Sequence, residues 1–305
     1  MKLLFILVGM MLHAVGAHAL DIRFEPVAPG VFAHVGDIGG RTAQNQGLNA
    51  NLGLVVTNDG AVLIDSGSTA QVARLVEQAV RRVTPQPVRW VINTGTQDHR
   101  WLGNGWFAAR GAEVIAHANA VPDMRARGAD QLAALRSLLG TAAAGTEPVL
   151  PRRLVEGADT PLVLGGTRMT LIHRGGGHTP GDTMVWLPEA KVLFAGDIVY
   201  ADRLLAVIPV SHSGRWLEAF SALEALAPQV IVPGHGRVTD VATAREQTRD
   251  YLTALRTHAR EAVDQGLDPS TAARTFDGSR WKGLSNAAEL GPGNASRVFL
   301  ELERE

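Results

Sequence analysis

The sequence predicts an α/β fold in which two β-sheets pack face to face with helices outside them. Three observations carry this. Short β-branched runs, punctuated by Pro29-Gly30, Gly39-Gly40 and Asn58-Asp59-Gly60, dominate the early chain and recur from Pro161 onward. Amphipathic stretches of helical period follow the strands in each half, and no repeat or charge block interrupts the order. At 46% hydrophobic and 19% charged, the 305 residues can build a sizeable core. Periodicity alone does not separate this arrangement from other α/β folds.

In chain order, strands are expected over 22–27, 31–35, 52–56 and 61–65. A helix capped by Ser68 should run to about Val83, with Val72, Leu75, Val76 and Val80 on one face. A buried strand over 88–93, a helix over 105–110 and a strand over 113–116 follow. Residues 118–150, rich in Ala, Leu and Arg, end in Gly140-Thr141-Ala142-Ala143-Ala144-Gly145. They read as a helical insertion that either covers a site or presents a solvent-facing helix. Strands resume at 161–164, 167–173, 183–187 and 191–194. A helix over 214–226, a strand over 230–232 and a long helix over 241–265 close the pattern.

The first nineteen residues have a different character. Lys2 precedes an apolar run over 3–15 and then Gly16-Ala17-His18-Ala19. A short apolar stretch ending in Ala-x-Ala is the pattern of a secretory signal peptide, with cleavage expected after Ala19. The run is shorter than the roughly 20 residues of a spanning helix. The expected product is one domain over 20–305, in the periplasm or secreted and free of the membrane after cleavage. With 29 Lys+Arg against 30 Asp+Glu, the chain has no basic footprint for nucleic acid. It has no cysteine, which excludes disulfides, thiolate metal sites, cysteine nucleophiles and iron–sulfur clusters.

Four segments place His or Asp beside glycine at the end of an expected strand. They are Asn93-Thr94-Gly95-Thr96-Gln97-Asp98-His99, Gly177-His178-Thr179-Pro180-Gly181-Asp182, Ala195-Gly196-Asp197 and Pro233-Gly234-His235-Gly236. Imidazole and carboxylate are the metal ligands left when cysteine is absent. Taken singly, a Gly-Asp is usually a turn and a histidine usually a satisfied core residue. In this order and spacing the four segments resemble the metallo-β-lactamase superfamily of zinc hydrolases.

That resemblance implies an αββα four-layer sandwich, the metallo-β-lactamase/glyoxalase II-like fold. It also implies that Asp98, His99, Asp197 and His235 match one metal site, while His178 matches a ligand of the other. The family pattern Asn-Thr-His-x-His-x-Asp-His is broken here. Both early histidines are absent, and matching Asp98-His99 to its Asp-His leaves one position deleted. Gln97 is a poor substitute ligand, so one Zn²⁺ per chain is expected and a second site is doubtful. The Asn-Thr-Gly-x-Gln-Asp-His-Arg-Trp-Leu-Gly-Asn run further resembles a periplasmic SoxH-like, quinoprotein-associated branch.

The expected activity is hydrolysis of an ester, thioester, lactone or related small substrate by metal-activated water. Asp98 and His178 are the candidate catalytic groups, and Gln97, Arg100 and Trp101 the candidate cleft residues. Two alternatives stay open. One is a non-catalytic metal-binding accessory protein with a partner in a periplasmic quinoprotein or sulfur-oxidation system; the other is a dinuclear enzyme using Gln97 and His178.

Overall fold

The computed structural model describes residues 20–305, so the expected leader over 1–19 lies outside the described residues. One sheet runs in sequence order through β1 (Glu25–Ala28), β2 (Val31–His34), β3 (Leu52–Thr57), β4 (Gly60–Ile64), β5 (Val88–Ile92), β6 (Glu113–His117) and β7 (Arg153–Val155). It is antiparallel as far as β4 and parallel beyond it. The second sheet pairs β8 (Asp159–Leu164), β9 (Thr167–Ile172), β10 (Met184–Leu187) and β11 (Val192–Tyr200) antiparallel, then β12 (Val230–His235) parallel to β11.

Alternation along the strands decides what lies between the sheets. Val31, Val62, Ile64, Ile92 and Ile115 of the first sheet meet Leu171, Val185, Phe194 and Val232 of the second. Helix α1 (Ala70–Val83) covers the outer face of the first sheet with Val72, Val76 and Val80, spaced by four. Its cap is Thr69, whose hydroxyl accepts from the Val72 amide at 3.1 Å, because the Ser68 hydroxyl donates instead to the Gln46 carbonyl at 2.8 Å. Burying side chains of this size contributes about 1.5–3 kcal/mol each. The layer order is therefore αββα, as expected.

The 118–150 segment forms α4 (Ala120–Leu139), which buries Met124, Leu132 and Leu135 with Trp101 and Leu102 of the loop after β5. That loop holds two short helices, α2 (Asp98–Trp101) and α3 (Asn104–Ala108). The second sheet's outer face is covered by α5 (Ser213–Ala225) and by more helix than the sequence pattern foretold. The stretch over 241–265 is α6 (Val241–Ala244), a π turn over Arg245–Arg249, and α7 (Asp250–Asp264). Beyond it come α8 (Pro269–Thr275) and α9 (Ala287–Leu302). Trp216, Phe220, Leu252, Leu255, Val298 and Phe299 form the core beneath these helices.

Candidate metal centre

The four glycine-flanked segments meet at one edge of the sandwich. After β5, Asn93 and Asn104 exchange side-chain amide bonds at 3.1 and 2.9 Å, and Asn93 Nδ2 also donates to the Arg100 carbonyl at 2.9 Å. These bonds close the loop that α2 occupies. Adjacent side chains on a helical turn splay by about 100°, so Asp98, His99 and Arg100 point three different ways. In β11, Gly196 has φ +51° and breaks the register with β12, which tips Asp197 toward the loop; a Cβ there would lie 2.7 Å from Thr94 Oγ1. Asn51 fixes the end of β12. Its Nδ2 donates to the Pro233 and Gly236 carbonyls at 2.8 and 2.7 Å.

Three side chains converge there. One donor atom each from His99, Asp197 and His235 lies within 4.8 Å of the others, and these residues are only 4%, 1% and 3% exposed. His235 Nδ1–H donates to the Asn49 carbonyl at 2.7 Å, which leaves Nε2 bare, 3.4 Å from Asp197 Oδ1. Both ring nitrogens of His99 are buried without a hydrogen-bond partner, although Nδ1 is 3.2 Å from Asp98 Oδ1. Burial drives the His99 pKa down to about 4 and lowers that of His235, so both rings are neutral at pH 7. Bare imidazole nitrogens facing a carboxylate oxygen with no proton between them fit a divalent cation. The bond from His235 Nδ1 to a carbonyl is the outer support such a ligand needs.

A cation is already built in beside them. Arg100, 1% exposed, donates Nε and Nη2 to Asp197 at 2.9 and 2.5 Å and Nη1 to Asp65 at 2.7 Å. The Asp197 pKa sits well below the usual range: burial opposes this, and the charge of Arg100 with its two hydrogen bonds overcomes it. Asp65 receives one bond from the same guanidinium, and there burial prevails and raises its pKa. Asp65 holds φ +64°, uncommon for a non-glycine residue, and its carboxylate also accepts from the Thr94 amide and hydroxyl, each at 2.7 Å. The guanidinium needs glycine around it. A Cβ at Gly234 would lie 2.6 Å from Arg100 Nη2, and one at Gly95 would lie 3.3 Å from Arg100 Cδ and 3.0 Å from Asp182 Oδ1.

The remaining expected site residues lie around this core. Asp98 stays outside the convergent trio: Oδ1 accepts from the His99 amide at 2.8 Å, and Oδ2 is paired with Arg41. Burial would raise its pKa, but the neighbouring His99, whose amide it accepts, and the Arg41 charge hold it low. His178 is also outside the trio. Its Nδ1–H donates to the Ala206 carbonyl at 2.7 Å, so Nε2 accepts from the Gln97 amide at 2.8 Å; burial lowers its pKa to about 4. Burial and the Asp197 charge raise Asp182 to about 7, where it caps the Thr179 amide at 2.7 Å. Trp101 and Arg100 are core residues rather than cleft walls. Trp101 is fully buried and donates to the Thr96 carbonyl and Gln131 at 3.2 and 3.0 Å.

These facings revise the motif register. If no residue is deleted, Gly95 and Gln97 stand at the two early histidines of the family pattern. His99 then stands at its aspartate and Arg100 at its final histidine. This places Gln97 opposite His178 and His99 beside Asp197 and His235, as observed. Three other residues of the centre were missed in the sequence reading. Asp65 had a signal, a strand ending in Ile64-Asp65-Ser66-Gly67. Tyr200, whose ring stacks on His235 at 4.9 Å, and Arg41 had none.

The sequence profile of the Metallo-beta-lactamase superfamily matches residues 45–235. A metallo-beta-lactamase type 2 of Bacillus sp. (strain 170) is 25% identical over 214 residues, 69% of this chain and 74% of that one. The acyl-coenzyme A thioesterase MBLAC2 of Gallus gallus is 32% identical over 92 residues, 29% of this chain and 32% of that one. Among solved structures, the DIM-1 metallo-beta-lactamase superposes with TM-score 0.60 at 20% identity, over 77% of this chain and 98% of its own. The sec-alkylsulfatase Pisa1 of Pseudomonas sp. superposes with TM-score 0.70 at 19% identity, over 91% of this chain and 50% of its own. At these identities the structural likeness speaks for the fold, and the profile speaks for descent. The chain belongs to the metallo-beta-lactamase superfamily.

Proposed function

We propose that this protein is a hydrolase using one divalent metal, most simply zinc, held by His99, Asp197 and His235. The observation that carries the reading is that the buried ring nitrogens of His99 have no hydrogen-bond partner while one of its donor atoms converges with Asp197 and His235. Such a metal supplies Lewis acidity toward a carbonyl oxygen and ionises water near neutral pH. The chain's own residues do the rest. Asn49 and Asn51 hold His235 and its loop, and Arg100 fixes the carboxylate of Asp197. His178 Nε2, outside the ligand set, accepts from the Gln97 amide and becomes a proton acceptor for the reaction when that amide turns away. Esters, thioesters and lactones are the substrates in keeping with a superfamily that includes lactamases and a thioesterase. The leader pattern supports a periplasmic or secreted enzyme, and the Asn93 to Asn104 run supports placement in the SoxH-like, quinoprotein-associated branch.

The test is metal content per chain after purification without added metal. About one equivalent is expected, and His99→Ala or His235→Ala should lose both metal and turnover of simple esters and thioesters. Unchanged turnover in either variant sinks the proposal. A second reading, a metal-carrying accessory protein of a periplasmic redox system, is favoured by one observation: none of the three residues is more than 4% exposed. One retained metal with no turnover across such substrates would select it.

A further inference from the structure

We propose that Asn294, on α9 and outside the part of the chain that matches the superfamily profile, is a positioning residue that sets which ring nitrogen of His178 carries the proton. The inference rests on the reading of His178 as a site residue, and on neither the metal nor the substrate.

The His178 ring is held from two sides, by the Ala206 carbonyl on Nδ1 and the Gln97 amide on Nε2. Ala206 lies in the segment between β11 and α5, which has no ladder to hold its peptides. Asn294, fully buried, takes over that task. Its Oδ1 accepts from the Val207 amide at 2.8 Å, and its Nδ2 donates to the Leu205 carbonyl at 2.8 Å and to the Tyr251 hydroxyl at 3.1 Å. The Ala206 carbonyl and the Val207 amide belong to one trans peptide plane and point in opposite directions. Holding the Val207 N–H toward α9 therefore holds the Ala206 C=O toward His178. One turn further along α9, Arg297 Nη1 donates to the Val207 carbonyl at 3.0 Å, so the same helix grips the next peptide too.

The consequence concerns the tautomer. With Ala206 fixed as an acceptor, Nδ1 is the protonated nitrogen and Nε2 presents its lone pair to Gln97 and the centre. If the peptide is free to turn, Nδ1 loses its acceptor. The Gln97 amide can then rotate to present its oxygen, and the Nε2–H form becomes competitive.

Nitrogen NMR of histidine-labelled protein reads this directly, with the His178 signals assigned by their loss in His178→Gln. The wild type should show Nδ1–H alone. Asn294→Leu should shift the tautomer ratio by about fivefold toward Nε2–H, the effect of losing one neutral hydrogen bond. If Asn294→Leu does not fold, Asn294→Ser, too short to reach Val207, takes its place. Tyr251→Phe removes the third bond only and should change nothing at His178. A lower melting temperature with wild-type His178 signals in the Leu or Ser variant would make Asn294 merely structural and overturn the proposal. Metal content and turnover report separately: a metal-free, inactive wild type with His178 purely Nδ1–H overturns the hydrolase and leaves the positioning role standing.

Discussion

Replacing Arg100 with methionine tests the charge balance on which the centre is built. Methionine fills most of the volume and leaves the two Asp197 bonds, the Asp65 bond and the 3.2 Å bond to the Gly234 carbonyl without a donor. Removing one partner of a buried ion pair costs about 3–5 kcal/mol. The loss should not double for two carboxylates, because Asp65 keeps its two bonds from Thr94. In chelator-treated protein at pH 8, urea unfolding should therefore show a deficit of about 3–5 kcal/mol, or about 6–10 °C in Tm at roughly 2 °C per kcal/mol. The sign with pH follows from the orphaned carboxylate. Without the guanidinium, burial raises the folded pKa of Asp197 above its unfolded value. Such a group contributes stability that is full below the unfolded pKa and lost as pH rises. The deficit should thus shrink on acidification toward pH 5. A deficit under about 1 kcal/mol that does not change between pH 5 and pH 8 would refute the buried triad, since it is the size expected of a solvated surface pair.

Asp182 gives a second pH signature: its folded pKa of about 7 lies above the unfolded value of 3.8, so wild-type stability should fall as pH rises from 4 to 7, and Asp182→Asn should flatten that slope in urea titrations. Gly128→Ala in α4 gains about 1 kcal/mol of helix propensity, but its Cβ would stand 2.8 Å from Cη2 of the fully buried Trp101. Overpacking should win, for a net loss of about 1–2 kcal/mol in the same assay, and a gain in stability would contradict the contact. Gln97→Leu leaves the buried Nε2 of His178 without its donor and should cost about 1–2 kcal/mol, while metal content stays at the wild-type value.

The sheets were legible because alternation and β-branching are local signals, and the glycine-flanked His178, Asp197 and His235 because a turn residue beside a ligand type is visible in one dimension. Facing was not. Asp98 and His99 are neighbours on one helical turn, and only the fold decides which of them looks inward. Arg100 reads as a surface residue in any window, since its partners Asp65 and Asp197 are 35 and 97 residues away. The break in the long helix over 241–265 was also invisible, because its cause is tertiary. Thr248 in the π turn donates to the Tyr200 carbonyl at 2.9 Å and accepts from the Tyr200 amide at 3.0 Å, pinning the end of β11. Helix α9 was hidden by Gly291-Pro292-Gly293, which local propensity reads as a turn.

The facings change the chemistry as well as the register. With Asp98 among the ligands, two carboxylates and two imidazoles would nearly cancel a divalent charge. With Asp98 paired to Arg41 instead, the trio contains one carboxylate, Asp197, and that carboxylate is shared with a guanidinium. On the proposed reading, two consequences pull in opposite directions. Arg100 competes for the oxygen lone pairs of Asp197 and repels a second cation, which weakens affinity; the smaller negative charge around the cation leaves it more electrophilic. Gly95 and Gln97 act in the same sense as Arg100. The space a ligand would need at position 95 is taken by Arg100 and Asp182, and the lone pair that His178 would offer is taken by the Gln97 amide. Four positions of one motif, Gly95, Gln97, His99 and Arg100, thus depart together: an amide and a fixed guanidinium stand where two histidines would, and on the proposed reading His99, Asp197 and His235 remain as the donors for one metal.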